Sequence, residues 1–226
     1  MISHEKKFIF VHVPRTGGYT LSNFLRPYCD EESLKLFSRF SASGNLHAMA
    51  REYVEVYGGK IFEEYTVFSI VRNPFERAVS HSIWHNGGTF DRSHFRNYIF
   101  KPHRTGFWPH SHFYFYQKPL PAGSDEEDKL AVAFPALIST EGMKFMQEHL
   151  YFPYFIKFEN YANEISKLFT KLEIEHDIED LKRKSNHTSH KHYSDYYQDD
   201  EIKEIKRTCG FDLQMFGYTF DDRGNK

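Results

Sequence analysis

Residues 8–21, FIFVHVPRTGGYTL, place Gly17 and Gly18 directly after an apolar run, with the cationic Arg15 just before them. A buried strand running into glycines and then an apolar segment is the layout of a loop that cradles phosphate. In such a loop, backbone N–H groups at a helix start meet the anion. The nucleoside-triphosphatase form, four residues between glycines followed by Gly-Lys-Ser/Thr, is absent. A second cation stands at Arg72 in VRNPFERAVSHS, residues 71–82. Enzymes that split a magnesium-bound triphosphate usually need a metal-holding acid, often at the end of an apolar strand. Here that strand ends in arginine, whose planar fork suits a phosphate held directly. Two such loops point to a nucleotide carrying phosphate at two separate places, with no metal.

The elements that must position these loops are legible as alternating strands and helices. KFIFVHV is apolar on both faces, as a central parallel strand is, and runs from Phe8 to Val13. Pro14 ends it, and the glycines turn the chain into a helix over about Tyr19–Tyr28. YTVFSIV, residues 65–71, reads as a second buried strand. The helix after it has Asn73 as N-cap, Pro74 at its first position and Glu76 placed for a capping box. Phe75, Val79 and Ile83 form its buried stripe. YFIKF, residues 154–158, is the third strand, and Ile165, Leu168, Phe169 and Leu172 recur at helical spacing after it. Residues 86–150 read as irregular, with an acidic solvated turn at GSDEEDK. A last helix, Asp200–Cys209, is expected to stop at Gly210. The class is α/β, with a central parallel sheet flanked by helices.

These segments together resemble the sulfotransferases that use 3′-phosphoadenosine 5′-phosphosulfate (PAPS). FVHVPRTGG is similar to their hhHhPKTGG loop, and VRNPFERAVSHS to VRdPyeRhhSxh. YFIKFENYANEISKLF resembles their strand-then-EN stretch. SNHTSHKHYSDYYQDDEIKEIKRTCGFDLQMFGYTF is similar to their closing loop and Tyr-Tyr…Asp…Phe-Gly-Tyr tail. The order is kept from residue 8 to 220 and is weakest over 86–150. The nearest branch is that of carbohydrate sulfotransferases of the heparan 2-O-sulfotransferase type.

The resemblance implies a P-loop-like three-layer fold, a single domain over 1–226 and an acceptor-binding insert at 86–150. It implies that Arg15, where the family has Lys, faces the 5′-phosphosulfate, with Thr16, Gly17 and Gly18 as hydroxyl and backbone donors. Thr20 falls on a hydroxyl position, and Tyr19 replaces a small Thr. Arg72 and Ser80 match the pair that holds the 3′-phosphate, and Arg183, Lys184, Asn186 and Ser189 match the segment that closes over the nucleotide. The acceptor is then a hydroxyl compound, expected to be a carbohydrate. A catalytically inactive relative that binds a glycan or nucleotide, and a P-loop-type kinase or triphosphatase, are the alternatives.

Attack by a hydroxyl needs a base near neutral pKa, which histidine supplies. Of 14 histidines, His47 in GNLHAMA lies where the resembling enzymes place a catalytic histidine; its alternative is a histidine at the core rim. His110 and His112, in WPHSH, are the candidates for acceptor contact or a replacement base, against simple packing. His12 reads as a core residue. His81 and His85 read as helix-face histidines, because HSIWH lacks the metalloprotease glutamate. His187, His190 and His192 fit a polar lid better than a metal cluster.

The composition sets outer bounds. With 226 residues, 40% apolar and 27% charged, the chain has the make-up of a soluble globular protein, and its net charge of −2 excludes a general nucleic-acid binder. Two cysteines make a disulfide framework improbable. The first apolar run is too short for a signal peptide or membrane span, so a cytoplasmic protein with no integral membrane segment is expected. Oligomeric state is not legible.

Overall fold

The structure is a computed structural model describing residues 1–30, 47–101, 109–114, 116–117, 150–151, 153–182 and 190–221. A four-stranded sheet organises it, in the order β1 (Ile2–Ser3), β2 (Phe8–Val11), β3 (Thr66–Val71), β6 (Tyr154–Lys157). β1 is antiparallel to β2, pairing Ile2 with Ile9; β2, β3 and β6 are parallel, with Phe10 beside Phe68 and Ile70 beside Ile156. The three parallel strands are those expected from their apolar runs. The first stops at Val11 and not Val13, because the chain leaves the ladder before Pro14. The pair β4 (Tyr116–Gln117) and β5 (Leu150–Tyr151) forms a separate antiparallel ladder.

Alternation along β2 and β3 sends two different kinds of side chain to the two faces. Ile9, Val11, Val67 and Val71 pack with Ala50, Tyr53 and Val54 of α2 (Ala50–Tyr57) and with Ile61 and Phe62 of α3 (Ile61–Glu64). Phe8, Phe10, Phe68 and Ile70 pack on the other face. Their partners are Leu21 and Leu25 of α1 (Gly18–Leu25), and Ile165, Leu168 and Phe169 of α7 (Tyr161–Lys171). Helices therefore cover both sides of the sheet, the α/β arrangement expected.

A third apolar cluster sits beyond the strand ends. There Phe75, Val79 and Ile83 of α4 (Pro74–His85) meet Phe95, Tyr98 and Ile99 of α5 (Arg92–Phe100) and Ile205 of α9 (Asp199–Thr208). α5 corrects the expectation of irregular structure over 86–150. Its N-cap is Asp91, whose carboxylate accepts from His94 N–H, and Arg92 donates to both oxygens of the buried Glu201 at 2.9 Å. α6 (Ser111–Tyr114) is a further helical turn in the same region; the acidic turn at 123–129 lies outside the described residues.

Two local expectations are corrected. α9 ends at Thr208 with Cys209 as its C-cap, Gly210 is not its stop but opens α10 (Gly210–Phe216), and the left-handed cap is Gly217, at φ +66°. Asn73 caps α4 by accepting from Phe75 N–H, with Pro74 at the first position, yet Glu76 forms no capping box. Its carboxylate takes Arg72 Nη2 at 2.7 Å, since a charged donor outbids a neutral backbone one. The short α8 (Ile178–Lys182) closes the helices. Among the described residues, no helix is long and apolar enough to cross a membrane.

Candidate functional site

Adjacent parallel strands deliver both loops to one end of the sheet. After β2, Arg15 stands at φ +64° and Gly17 at φ +84°, so the loop alternates into the left-handed region twice. For the non-glycine Arg15 this conformation costs of order 1 kcal/mol and marks a position held for a reason. Alternation of this kind is the backbone geometry of anion-binding nests, and here it stands at the start of α1. Gly17 is the N-cap of that helix. A Cβ on Gly17 would stand 2.9 Å from the Phe158 ring, and one on Gly18 only 2.1 Å from the His12 imidazole. The glycine pair is thus a steric requirement, set by the close approach of Phe158 and His12 to the loop backbone.

The cations converge on this loop. Arg15 Nε and Nη2 each donate to Ser80 Oγ at 3.3 Å. Arg72 Nη1 donates to the Arg15 carbonyl at 2.9 Å, and its guanidinium lies 4.4 Å from the Phe158 ring centre. Burial, followed by repulsion from Arg72, pushes the Arg15 pKa down to about 10. Burial likewise lowers that of Arg72, against the attraction of Glu76. Both guanidiniums are thus desolvated near this loop, and an anion bound there would offset that cost. The resemblance pairs Ser80 with Arg72; here Ser80 is held by Arg15, and Arg72 reaches the loop backbone and Glu76.

The remaining loop positions divide by exposure. Thr16 is fully buried and its hydroxyl donates to Val13 O at 2.8 Å, so its side chain shapes the loop from within. Thr20 is also buried, whereas Tyr19 is 46% exposed and free to meet a ligand from the surface. Trp84 is 50% exposed one turn beyond Ser80, with Arg15 lying 5.7 Å from its ring centre. Arg183, Lys184, Asn186 and Ser189 lie outside the described residues, as does His187.

His47 stands beside the phosphate loop. Its Nδ1 is 3.1 Å from the His12 carbonyl, and the two rings are 4.5 Å apart. A carbonyl only accepts, so Nδ1 carries the proton and Nε2 carries the lone pair. Burial lowers the His47 pKa below the ordinary imidazole value, which keeps that lone pair available at neutral pH. His12 is buried in the core, as expected, stacked on Phe10.

The other histidines separate clearly. His110 is fully buried: Nδ1 donates to Asp212 Oδ2 at 3.1 Å, and Nε2 accepts Arg72 N–H at 3.2 Å. Both ring nitrogens are engaged, by Asp212 on one side and the Arg72 backbone on the other. His112 lies on α6, but its side chain is outside the described residues. His81 bonds Tyr98 through Nδ1, and its ring lies 4.7 Å from that of His85. His190 Nε2 is 3.5 Å from Glu76 Oε1, and His192 caps the turn at Ser194. No group of three or more metal-ligating side chains occurs among the described residues.

Three acids at this end of the sheet were not among the site residues expected from the sequence, Glu76 having been read only as a capping residue. Glu76 pairs with Arg72; Glu159 accepts from Asn73 N–H at 3.3 Å and Tyr218 Oη at 2.8 Å; Asp212 accepts from His110 and Ser111. The EN stretch and the Asp…Phe-Gly-Tyr tail held the signal for the last two. They lock the C-terminal segment to the start of α4.

Neither curated proteins nor solved structures gave a match to the chain. Residues 1–99 match the model described as the sulfotransferase family. That stretch carries Arg15, the glycine pair, His47, Arg72 and Ser80, so the similarity to sulfotransferases falls on the part of the chain that builds the site.

Proposed function

We propose that this protein is a sulfotransferase that moves the sulfuryl group of PAPS to a hydroxyl of a carbohydrate acceptor. The observation that carries the reading is the convergence of Arg15, Ser80 and Arg72 on the glycine loop that follows β2, where Arg15 and Gly17 take left-handed backbone angles. Two guanidiniums beside a loop at a helix start are groups that suit the phosphates of such a donor. The resemblance assigns the 5′-phosphosulfate to Arg15 and the loop, and the 3′-phosphate to Arg72 and Ser80.

In the reaction, the acceptor oxygen attacks sulfur in line while the bond from sulfur to the bridging oxygen breaks. The electron pair leaves with the 5′-phosphate, and 3′,5′-bisphosphoadenosine (PAP) is the second product. Arg15 and the loop N–H groups stabilise the charge that builds on the departing oxygen. The acceptor proton goes to His47 Nε2, the nitrogen left with a lone pair by the bond at Nδ1. The half-exposed indole of Trp84, beside Arg15, offers an apolar face on which a pyranose ring can stack. Trp84→Ala is therefore expected to raise the acceptor's Michaelis constant and leave PAP affinity unchanged.

Titration with PAP tests the donor site. Binding that needs no magnesium supports the proposal, and a strict magnesium requirement would favour a kinase or triphosphatase. Transfer of label from PAPS to a panel of carbohydrates then separates an enzyme from an inactive nucleotide binder.

A further inference from the structure

A continuous series of hydrogen bonds runs from the C-terminal helix to the phosphate loop. Asp212, on α10, is fully buried; its Oδ2 accepts His110 N–H at 2.6 Å and Nδ1–H at 3.1 Å, and its Oδ1 accepts Ser111 N–H at 3.0 Å. With Nδ1 committed as a donor, His110 Nε2 is an acceptor, and it takes the backbone N–H of Arg72. Arg72 then reaches from its own Nη1 to the carbonyl of Arg15. Burial drives the His110 pKa down to about 4. Burial also opposes the charge of Asp212, but the bonds from His110 and the charge of Arg77 outweigh it and leave the carboxyl below its ordinary value. The pair is a neutral imidazole on a carboxylate, with one tautomer.

We infer that Asp212 and His110 are positioning residues of the donor site: the carboxylate fixes the tautomer and angle of His110, and His110 fixes the backbone of Arg72 so that its guanidinium meets the Arg15 loop. Burial alone would be served by apolar side chains of the same volume, which carry no desolvation cost. The pair instead keeps two polar groups in the core: Asp212 also takes the backbone N–H groups of His110 and Ser111, and the outer nitrogen of His110 holds the N–H of Arg72, the residue assigned to the phosphate. The inference rests on the reading of Arg72 as a phosphate ligand.

The test compares His110→Asn, His110→Gln and Asp212→Asn in the full chain, each binding PAP and adenosine 5′-phosphosulfate, which lacks the 3′-phosphate. Asparagine places its amide near the Nδ1 position and serves Asp212 only. Glutamine places its amide near the Nε2 position and can accept from Arg72. The expected result is a loss of about tenfold in PAP affinity for His110→Asn and Asp212→Asn, the effect of one buried hydrogen bond. The second nucleotide should be little changed, and His110→Gln should recover PAP binding. Equal losses for both nucleotides, equal behaviour of the two His110 variants, or unchanged PAP binding in Asp212→Asn would overturn the inference. Should His110→Asn fail to fold, the two-nucleotide comparison on Asp212→Asn decides alone. Arg72→Ala separates the two levels. If it discriminates the nucleotides and Asp212→Asn does not, only the positioning role fails; if it does not discriminate them, the phosphate assignment fails and takes this inference with it.

Discussion

Arg15 and Ser80, 65 residues apart in the chain, meet through two hydrogen bonds of 3.3 Å from one guanidinium edge to one hydroxyl. This contact joins the glycine loop to α4 and aims the fork of Arg15 across the site.

Arg15→Ala should lower turnover by about 10²–10³, the usual effect of removing one preorganised donor to a developing anion. Arg15→Lys should keep much of the activity, because the resembling family carries Lys there. Steady-state rates with PAPS check both, and near-normal turnover in the alanine variant would remove Arg15 from the reaction.

At the other phosphate, Arg72→Ala and Ser80→Ala should weaken PAP far more than adenosine 5′-phosphosulfate. Calorimetry with both ligands reads the difference. Loss of the buried Arg72 also frees Glu76 and the Arg15 carbonyl, so the larger effect is expected at Arg72.

His47→Ala should lower turnover about 10²–10⁴-fold with PAP affinity kept. In the wild type, rate should fall as pH drops through the His47 pKa, because protonation fills the Nε2 lone pair. Burial sets that midpoint below the ordinary imidazole value of about 6.5. A variant that retains the acidic limb would show that another group is the base.

Stability should depend on pH through His110. Its folded pKa of about 4 lies below the unfolded value of 6.5. Between those values the unfolded chain binds a proton that the folded chain refuses, so stability rises with pH across this window and is lost as pH falls. Thermal midpoints from pH 7 to 4.5 should therefore decline less steeply in His110→Gln than in the wild type.

Much of this architecture was legible because its signals are local. The apolar runs of β2, β3 and β6, the Asn73-Pro74 helix start and the stripe of Phe75, Val79 and Ile83 each depend on residues close in sequence. Arg15, Arg72 and His47 could be selected for the same reason, through loop chemistry and resemblance. What escaped was long-range pairing. Glu76 fits a capping box by spacing, and only the folded neighbourhood of Arg72 redirects it. α5 is rich in polar and aromatic residues, and it gains definition by packing on α4 and pairing with Glu201, over a hundred positions away. His110 looked available for chemistry until Asp212 and Arg72 were found on its two nitrogens.

The register of β2 against β3 has a further consequence. Phe8, Phe10 and Phe68, with Ile70, line one face of this pair, and the smaller Ile9, Val11, Val67 and Val71 line the other. A slip by one residue would exchange the two sets, forcing aromatic rings into spaces shaped for Ile and Val. It would also carry the Arg15 carbonyl about 3.3 Å along the strand, out of reach of Arg72. The size pattern of the core thus acts as a proofreading device for the site. A chain that misaligns its strands pays in packing before it can present a misaligned loop, so folded molecules carry the two arginines in a single spacing.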